Sequence, residues 1–110
     1  MMQSHSRDRV RFDRFVLDLA GGTLLEGVKR LNLRPKSFEV LCHLVRNAGR
    51  VVSKDTLSQA VLGRPLGPFD RSIDVHISKL RRKLGPAADG DSLINTIHRG
   101  GYLFRVVKEA

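Results

Sequence analysis

Asp70-Arg71-Ser72-Ile73-Asp74-Val75-His76-Ile77-Ser78-Lys79-Leu80-Arg81-Arg82-Lys83-Leu84 is the stretch on which the fold turns. Laid on a helix at about 100° per residue, Ile73, Ile77, Leu80 and Leu84 form one apolar stripe. Arg71, Val75, Ser78, Lys79 and Arg82 project from the opposite side, with His76, Arg81 and Lys83 on the rims. From Arg71 to Leu84 the only acid is Asp74, against Arg71, Lys79, Arg81, Arg82 and Lys83. Such a helix has one face for a core and one for a polyanion. A merely solvated basic face is the simpler alternative, but those usually alternate Glu with Lys to gain i,i+4 pairs, and this one has no Glu. Its outward face is instead chemically mixed. Lys and Arg can take guanine O6 and N7, Ser78 can donate or accept, and Val75 can touch a thymine methyl.

The segments on either side fit around that helix. Upstream, Pro35 suits a first helical position, where a missing N–H costs nothing. Phe38, Leu41, Cys42 and Val45 then recur at helical spacing through Asn47, with Gly49 as the stop. Ser53 is an N-cap for a second helix carrying Leu57, Ala60 and Val61, and the glycines and prolines of 62–69 make a loop. Gly85-Pro86 closes the third helix. Leu93–Ile97 and Tyr102–Val106 flank a glycine-containing turn, as in a β-hairpin. Before all of this, short apolar pieces between Val10 and Leu33, broken at Gly21-Gly22 and Glu26-Gly27, predict three or four antiparallel strands.

Two helices, a basic helix and a hairpin are the order of a winged helix-turn-helix, an α+β fold. Its third helix enters the major groove while the hairpin touches the adjacent backbone and minor groove. Residues 10–107 are expected to form this single domain, and residues 1–9 a polar lead-in or linker remnant. Composition agrees: 20 Lys and Arg against 11 Asp and Glu give a formal charge of +9, and 41% of residues are hydrophobic. A chain this basic seeks polyanions, with nucleic acid ahead of anionic membrane. It has no apolar run of about eighteen residues, so no membrane partner is expected. The single cysteine, Cys42, among Val40, Leu41 and Leu44, is expected to be a buried small hydrophobe in a reducing cytoplasm.

Residues 70–84 resemble the recognition helix of OmpR/PhoB-type response regulators. The run Leu57-Ser58-Gln59-Ala60-Val61-Leu62-Gly63-Arg64-Pro65-Leu66-Gly67-Pro68-Phe69 is similar to the preceding segment in the CpxR-like branch of that family. Thr96-Ile97 with Gly101-Tyr102-Leu103-Phe104 resembles the family's closing hairpin. The resemblance implies a four-stranded N-terminal sheet, three helices and a C-terminal wing. It also implies double-stranded DNA as partner, bound at direct-repeat half-sites by two molecules arranged head to tail. Carried residue by residue, it makes Lys79 and Arg81 base readers, with Val75 an apolar base contact. Arg82, on the same outward face, is grouped with them. Arg71, Ser72, His76, Ser78 and Tyr102 match backbone-contacting positions, and Thr96 a position beside the DNA at the wing. Gly63, Arg64, Pro65, Leu66, Gly67 and Pro68 match the loop that meets RNA polymerase.

Two departures stand out. The family's wing usually reads Thr-Val-Arg-Gly-x-Gly-Tyr, whereas here His98 holds the arginine's place and Arg99 follows it. Either could enter the minor groove; Arg99 is preferred, because Gly100 and Gly101 leave the turn free to re-aim it. Family members also carry an N-terminal receiver, for which 110 residues leave no room, so an effector fragment or a stand-alone relative is expected.

His5, His43, His76 and His98 are scattered, so no metal site is expected, and nothing suggests a cofactor. No nucleophile–base pairing or phosphate-cradling loop points to an enzyme. The rival is a winged helix that serves as a protein-interaction module and binds nucleic acid only without sequence preference. RNA fits less well, because aromatics are 5% of the chain and none lies on the basic face to stack bases. With the apolar stripe used in the core, the free domain is expected to be monomeric.

Overall fold

A computed structural model of the protein describes residues 8–107, so most of the expected lead-in lies outside the described residues. The first strand, β1, is Arg9–Phe12, one residue earlier than the expected domain boundary. β2 (Phe15–Asp18), β3 (Thr23–Glu26) and β4 (Lys29–Leu31) follow, and the four pair antiparallel in chain order. α1 is Pro35–Arg46, with the proline in its first turn as expected. β5 (Val51–Ser53) was not foreseen. α2 begins at Lys54 and runs to Leu57, then widens into a π turn over Ser58–Leu62 that ends at left-handed Gly63. The expected N-cap is real: Ser53 Oγ accepts a hydrogen bond from Thr56 N–H. α3 is Ser72–Leu84, and β6 (Ile94–Ile97) and β7 (Gly101–Phe104) form the hairpin. The second sheet has the order β5-β7-β6. This is the expected winged helix-turn-helix, with the wing widened by one strand.

The apolar stripe of α3 is the part of the core that matters for the site. Ile73, Ile77, Leu80 and Leu84 are 0–2% exposed, packed with Leu41, Leu44 and Leu57 in one cluster. Burying that face forces the opposite face outward. The two sheets meet through aromatic rings, Phe12 from β1 against Phe104 from β7 at 5.0 Å, edge to face. Cys42 is buried as expected, and burial pushes its thiol up to about 11, which keeps it unreactive.

The N-terminal sheet also fixes the end of α3. The last carbonyls of a helix lack intrahelical partners. Arg14 supplies one, its Nη2 donating to Leu84 O at 2.8 Å while Nη1 donates to Pro86 O at 3.0 Å. Asp13 accepts from Ala88 N–H at 2.9 Å, and Arg14 is itself held by Asp13 and Glu26. β7 is fixed by a different device. A Cβ on Gly101 would meet Val51 Cγ1 at 2.7 Å and Val52 O at 3.2 Å, so β7 can cross β5 this closely only with glycine there.

Candidate nucleic-acid interface

The outward face of α3 carries the residues that the helical wheel placed there. Arg71, Val75, Ser78, Lys79 and Arg82 are all exposed and, with Asp74, line a shallow recess. Val75 is 48% exposed, a large apolar side chain left in water beside cations. Among the described residues Lys79, Arg82 and Lys83 have no ion-pair partner.

The start of the helix is arranged differently. Asp74 is ion-paired with Lys54 Nζ at 2.9 Å and with Arg71 Nε at 3.1 Å, and the Tyr102 hydroxyl donates to it. Burial pushes the Asp74 carboxyl up, but hydrogen bonds from Tyr102 and Lys54 and the charges of Lys54 and Arg71 outweigh it, holding the group below its ordinary value. Burial and the same carboxylate push the Tyr102 hydroxyl up to about 12. Three side chains therefore converge on this one carboxylate of α3: Lys54 from α2, Arg71 from the helix's own start, and Tyr102 from β7.

Several of the expected contact residues have partners within the domain. Tyr102, expected at the DNA backbone, is only 4% exposed, with its hydroxyl committed to Asp74. It braces the interface from beneath. Arg81, expected as a base reader, is drawn to the wing. Its Nε and Nη2 donate to Ile94 O at 3.1 and 2.9 Å, and Nη2 also donates to Thr96 Oγ1 at 2.7 Å. Because Leu80 must face the core, its neighbour Arg81 falls on the rim beside β6, within reach of the Ile94 carbonyl, which also accepts from Ser92 Oγ. Thr96 is thereby paired with Arg81, though it remains exposed. His76 faces α1, its Nδ1 2.8 Å from Ser37 Oγ, and burial first, then the charge of Lys79, lowers its pKa. Ser72 Oγ accepts from Arg64 Nη2 at 3.1 Å.

At the wing tip His98 and Arg99 are both exposed, in a three-residue turn closed by the Ile97–Gly101 pair. Arg99 has φ 75°, an uncommon backbone for a side-chain-bearing residue. The loop over residues 63–68 is tied at both ends. Ser58 Oγ donates to Arg64 O at 2.7 Å, Leu66 N–H donates to Asp55 Oδ1 at 2.8 Å, and Arg64 reaches Asp70 at 3.1 Å. Phe69 beyond it is 91% exposed.

Lys54 and Asp74 are central here, and sequence reading did not single them out as site residues. Lys54 carried only a weak signal, a cation directly after an N-cap; Asp74 was the lone acid of a basic helix. Among the described residues no group of three or more His, Cys, Asp or Glu could hold a metal ion. None of their helices is long and apolar enough to cross a membrane.

The family model described as transcriptional regulatory protein, C terminal, matches residues 28–104. The chain is 42% identical over 91 residues to a transcriptional regulatory protein CpxR homolog of Haemophilus influenzae, covering 83% of this chain and 40% of that protein. It is 49% identical over 73 residues to CpxR of Escherichia coli, covering 66% of this chain and 32% of that protein. The chain thus spans less than half the length of these curated relatives. Among solved structures, the DNA-binding domain of CpxR from E. coli superposes with a TM-score of 0.84 at 38% identity, covering 91% of this chain and 98% of that one. The RstA DNA-binding domain of Klebsiella pneumoniae, solved in complex with the RstA box, gives 0.78 at 31% identity, covering 88% and 96%.

Proposed function

This chain belongs to the family of C-terminal domains of transcriptional regulatory proteins, and from that premise we propose that it binds double-stranded DNA in a sequence-specific way as the DNA-binding part of a transcription regulator. The observation that carries this reading is the outward face of α3, where Lys79, Arg82, Ser78 and Val75 stand free above a rigid core. Groups that must reach base edges need a fixed base and an unobstructed approach, and this face supplies both.

Within that reading Lys79 and Arg82 read bases, and Val75 offers an apolar contact. Arg71 at the helix start and Ser78 midway along it hold phosphates, contacts that position the domain without carrying sequence information. His76 and Ser72 contribute from the rim, with Thr96 and Arg81 holding the wing against the helix. The wing reaches the minor groove through its tip, led by Arg99.

The tied loop over 63–68, with Phe69 exposed beyond it, presents the surface for RNA polymerase. On DNA two copies bind direct-repeat half-sites head to tail, and the free domain is a monomer that works in the cytoplasm. Selection of bound duplexes from a random pool tests the whole reading. A repeated half-site is expected. Binding without any sequence preference would favour a protein-interaction module and overturn it. Inserting about five base pairs between the half-sites rotates one site to the opposite face of the duplex, which should abolish cooperativity.

A further inference from the structure

A second basic surface lies beside the outward face of α3. An open groove of about 560 Å³ runs between α3 on one side and β4 with the link to α1 on the other. Lys29, Arg30 and Arg34 line one wall, and Lys79, Arg82 and Lys83 the other. Its one acid, Glu26, is already held by Arg14. Among the described residues none of the six cations has an ion-pair partner.

Gathering like charges raises their mutual repulsion, so the groove is costly to the free domain unless something anionic enters it. Lys29 and Arg30 have a simpler explanation, since β4 is an edge strand and charge there discourages pairing with other chains. That does not account for Arg34, which follows the strand, or for the three cations of α3 facing it. Continuity adds the direction. Lys79 and Arg82 line both this groove and the recess of Arg71, Val75 and Ser78 on the outward face. A polyanion lying on α3 therefore passes from one into the other. Length supports the same path: α3 has 13 residues. Such a helix is about 20 Å long, while the major groove is about 12 Å wide. With Val75, Lys79 and Arg82 over the bases, Lys83 at the end of the last turn emerges over the flanking phosphates.

We propose that this groove takes the sugar–phosphate backbone flanking the bases read by α3, so that the N-terminal sheet forms part of the DNA footprint. The proposal rests on the DNA-binding reading above. Contacts of this kind add affinity and salt dependence without adding sequence preference.

The test uses the duplex recovered by selection, once with about ten flanking base pairs on each side and once trimmed to the site. Affinity is measured against salt for the parent, for the combined variant Lys29→Gln, Arg30→Gln, Arg34→Gln, and for Lys83→Gln. Each lost phosphate contact reduces the log–log salt slope by about 0.9. The combined variant should lose up to about 2.7 on the long duplex and almost nothing on the trimmed one, with base preference unchanged. Lys83→Gln, on the opposite wall, should lose about 0.9 on the long duplex. Equal slopes for parent and variants on the long duplex, with base preference intact, would overturn the groove while leaving the DNA reading standing. Equal slopes combined with lost cooperativity on tandem sites would assign the groove to a second copy and overturn it equally. A parent without base preference would instead sink the underlying reading.

Discussion

The two halves of α3 carry similar side chains in opposite states. At its start Arg71 is bound to Asp74, which also holds Lys54 and Tyr102, and Arg64 of the preceding loop is bound to Asp70 and Ser72. In the second half Lys79, Arg82 and Lys83 stand without ion-pair partners among the described residues. The first half is a prearranged frame, ordered before any partner arrives. The second is a reserve of charge and donors, whose repulsion is relieved when an anion docks. Orientation and attraction are thus divided along one helix.

The contrast between the buried and outward faces gives the largest expected effects. Leu80 is 0% exposed although it lies between Lys79 and Arg81. Leu80→Ala should lose about 2–5 kcal/mol of stability through the cavity it leaves. Lys79→Ala, one residue away, should change stability by less than about 0.5 kcal/mol. It should instead cost about 1–3 kcal/mol of affinity and relax preference at one base pair. Denaturant melts and binding to single-substitution duplexes read the two quantities separately. Equal melts for Leu80→Ala and parent would mean that the helix is rotated from its present packing.

Arg81 sharpens the division, because it is a cation of the second half that behaves like one of the first. Hydrogen bonds from a charged donor contribute about 1.5–3 kcal/mol when well buried. Arg81 is partly exposed, so Arg81→Ala should cost only about 1 kcal/mol of stability. Its effect on DNA should be a general weakening, as the wing loosens from α3. Loss of preference at one particular base pair would return Arg81 to the base readers.

These particulars show what the linear sequence could carry. The α3 stripe was legible because four apolar residues repeat at helical spacing, and Pro35 and Ser53 announced their helices through local backbone chemistry. β5 was not legible: two valines are too few to show alternation, and their partners on β7 lie about fifty residues away in the chain. The same distance hid the basic groove, since Lys29, Arg30 and Arg34 meet Lys83 only after folding. Arg81 and Tyr102 were assigned by resemblance, which carries a position without its hydrogen-bond partners. In the folded domain those partners are Ile94 O for Arg81 and Asp74 for Tyr102.

Asp74 offers a smaller effect with a definite sign. Its folded pKa lies below its ordinary value, so the group stabilises the fold fully above the unfolded pKa of about 3.9. That contribution is lost as pH falls through the folded pKa. The stability gap between parent and Asp74→Asn should therefore be open at neutral pH and narrow on acidification. On DNA, the variant releases Arg71 and Lys54 from their shared carboxylate. Binding to unrelated duplex should tighten, and the ratio of specific to unrelated affinity should fall. A variant with unchanged affinity for unrelated duplex would show that the frame does not restrain these cations.

The wing tip is where the smallest effects are expected, and it separates backbone from charge. Because 98–100 form a turn, the strand rule that alternates faces does not decide which of His98 and Arg99 points at the DNA. Arg99 has φ 75°, where a Cβ crowds the following carbonyl and glycine has no such penalty. Arg99→Gly and Arg99→Ala both remove the cation, but only the glycine variant removes the strain. The glycine variant should be more stable than the alanine variant by about 0.5–1 kcal/mol. A narrow minor groove attracts inserted cations through its enhanced negative potential, so both variants should weaken DNA binding and lower the salt slope by about one. His98→Ala should leave that slope unchanged. Normal binding by Arg99→Ala, together with loss of affinity in His98→Ala, would make the histidine the groove probe and leave Arg99 as a strained bystander.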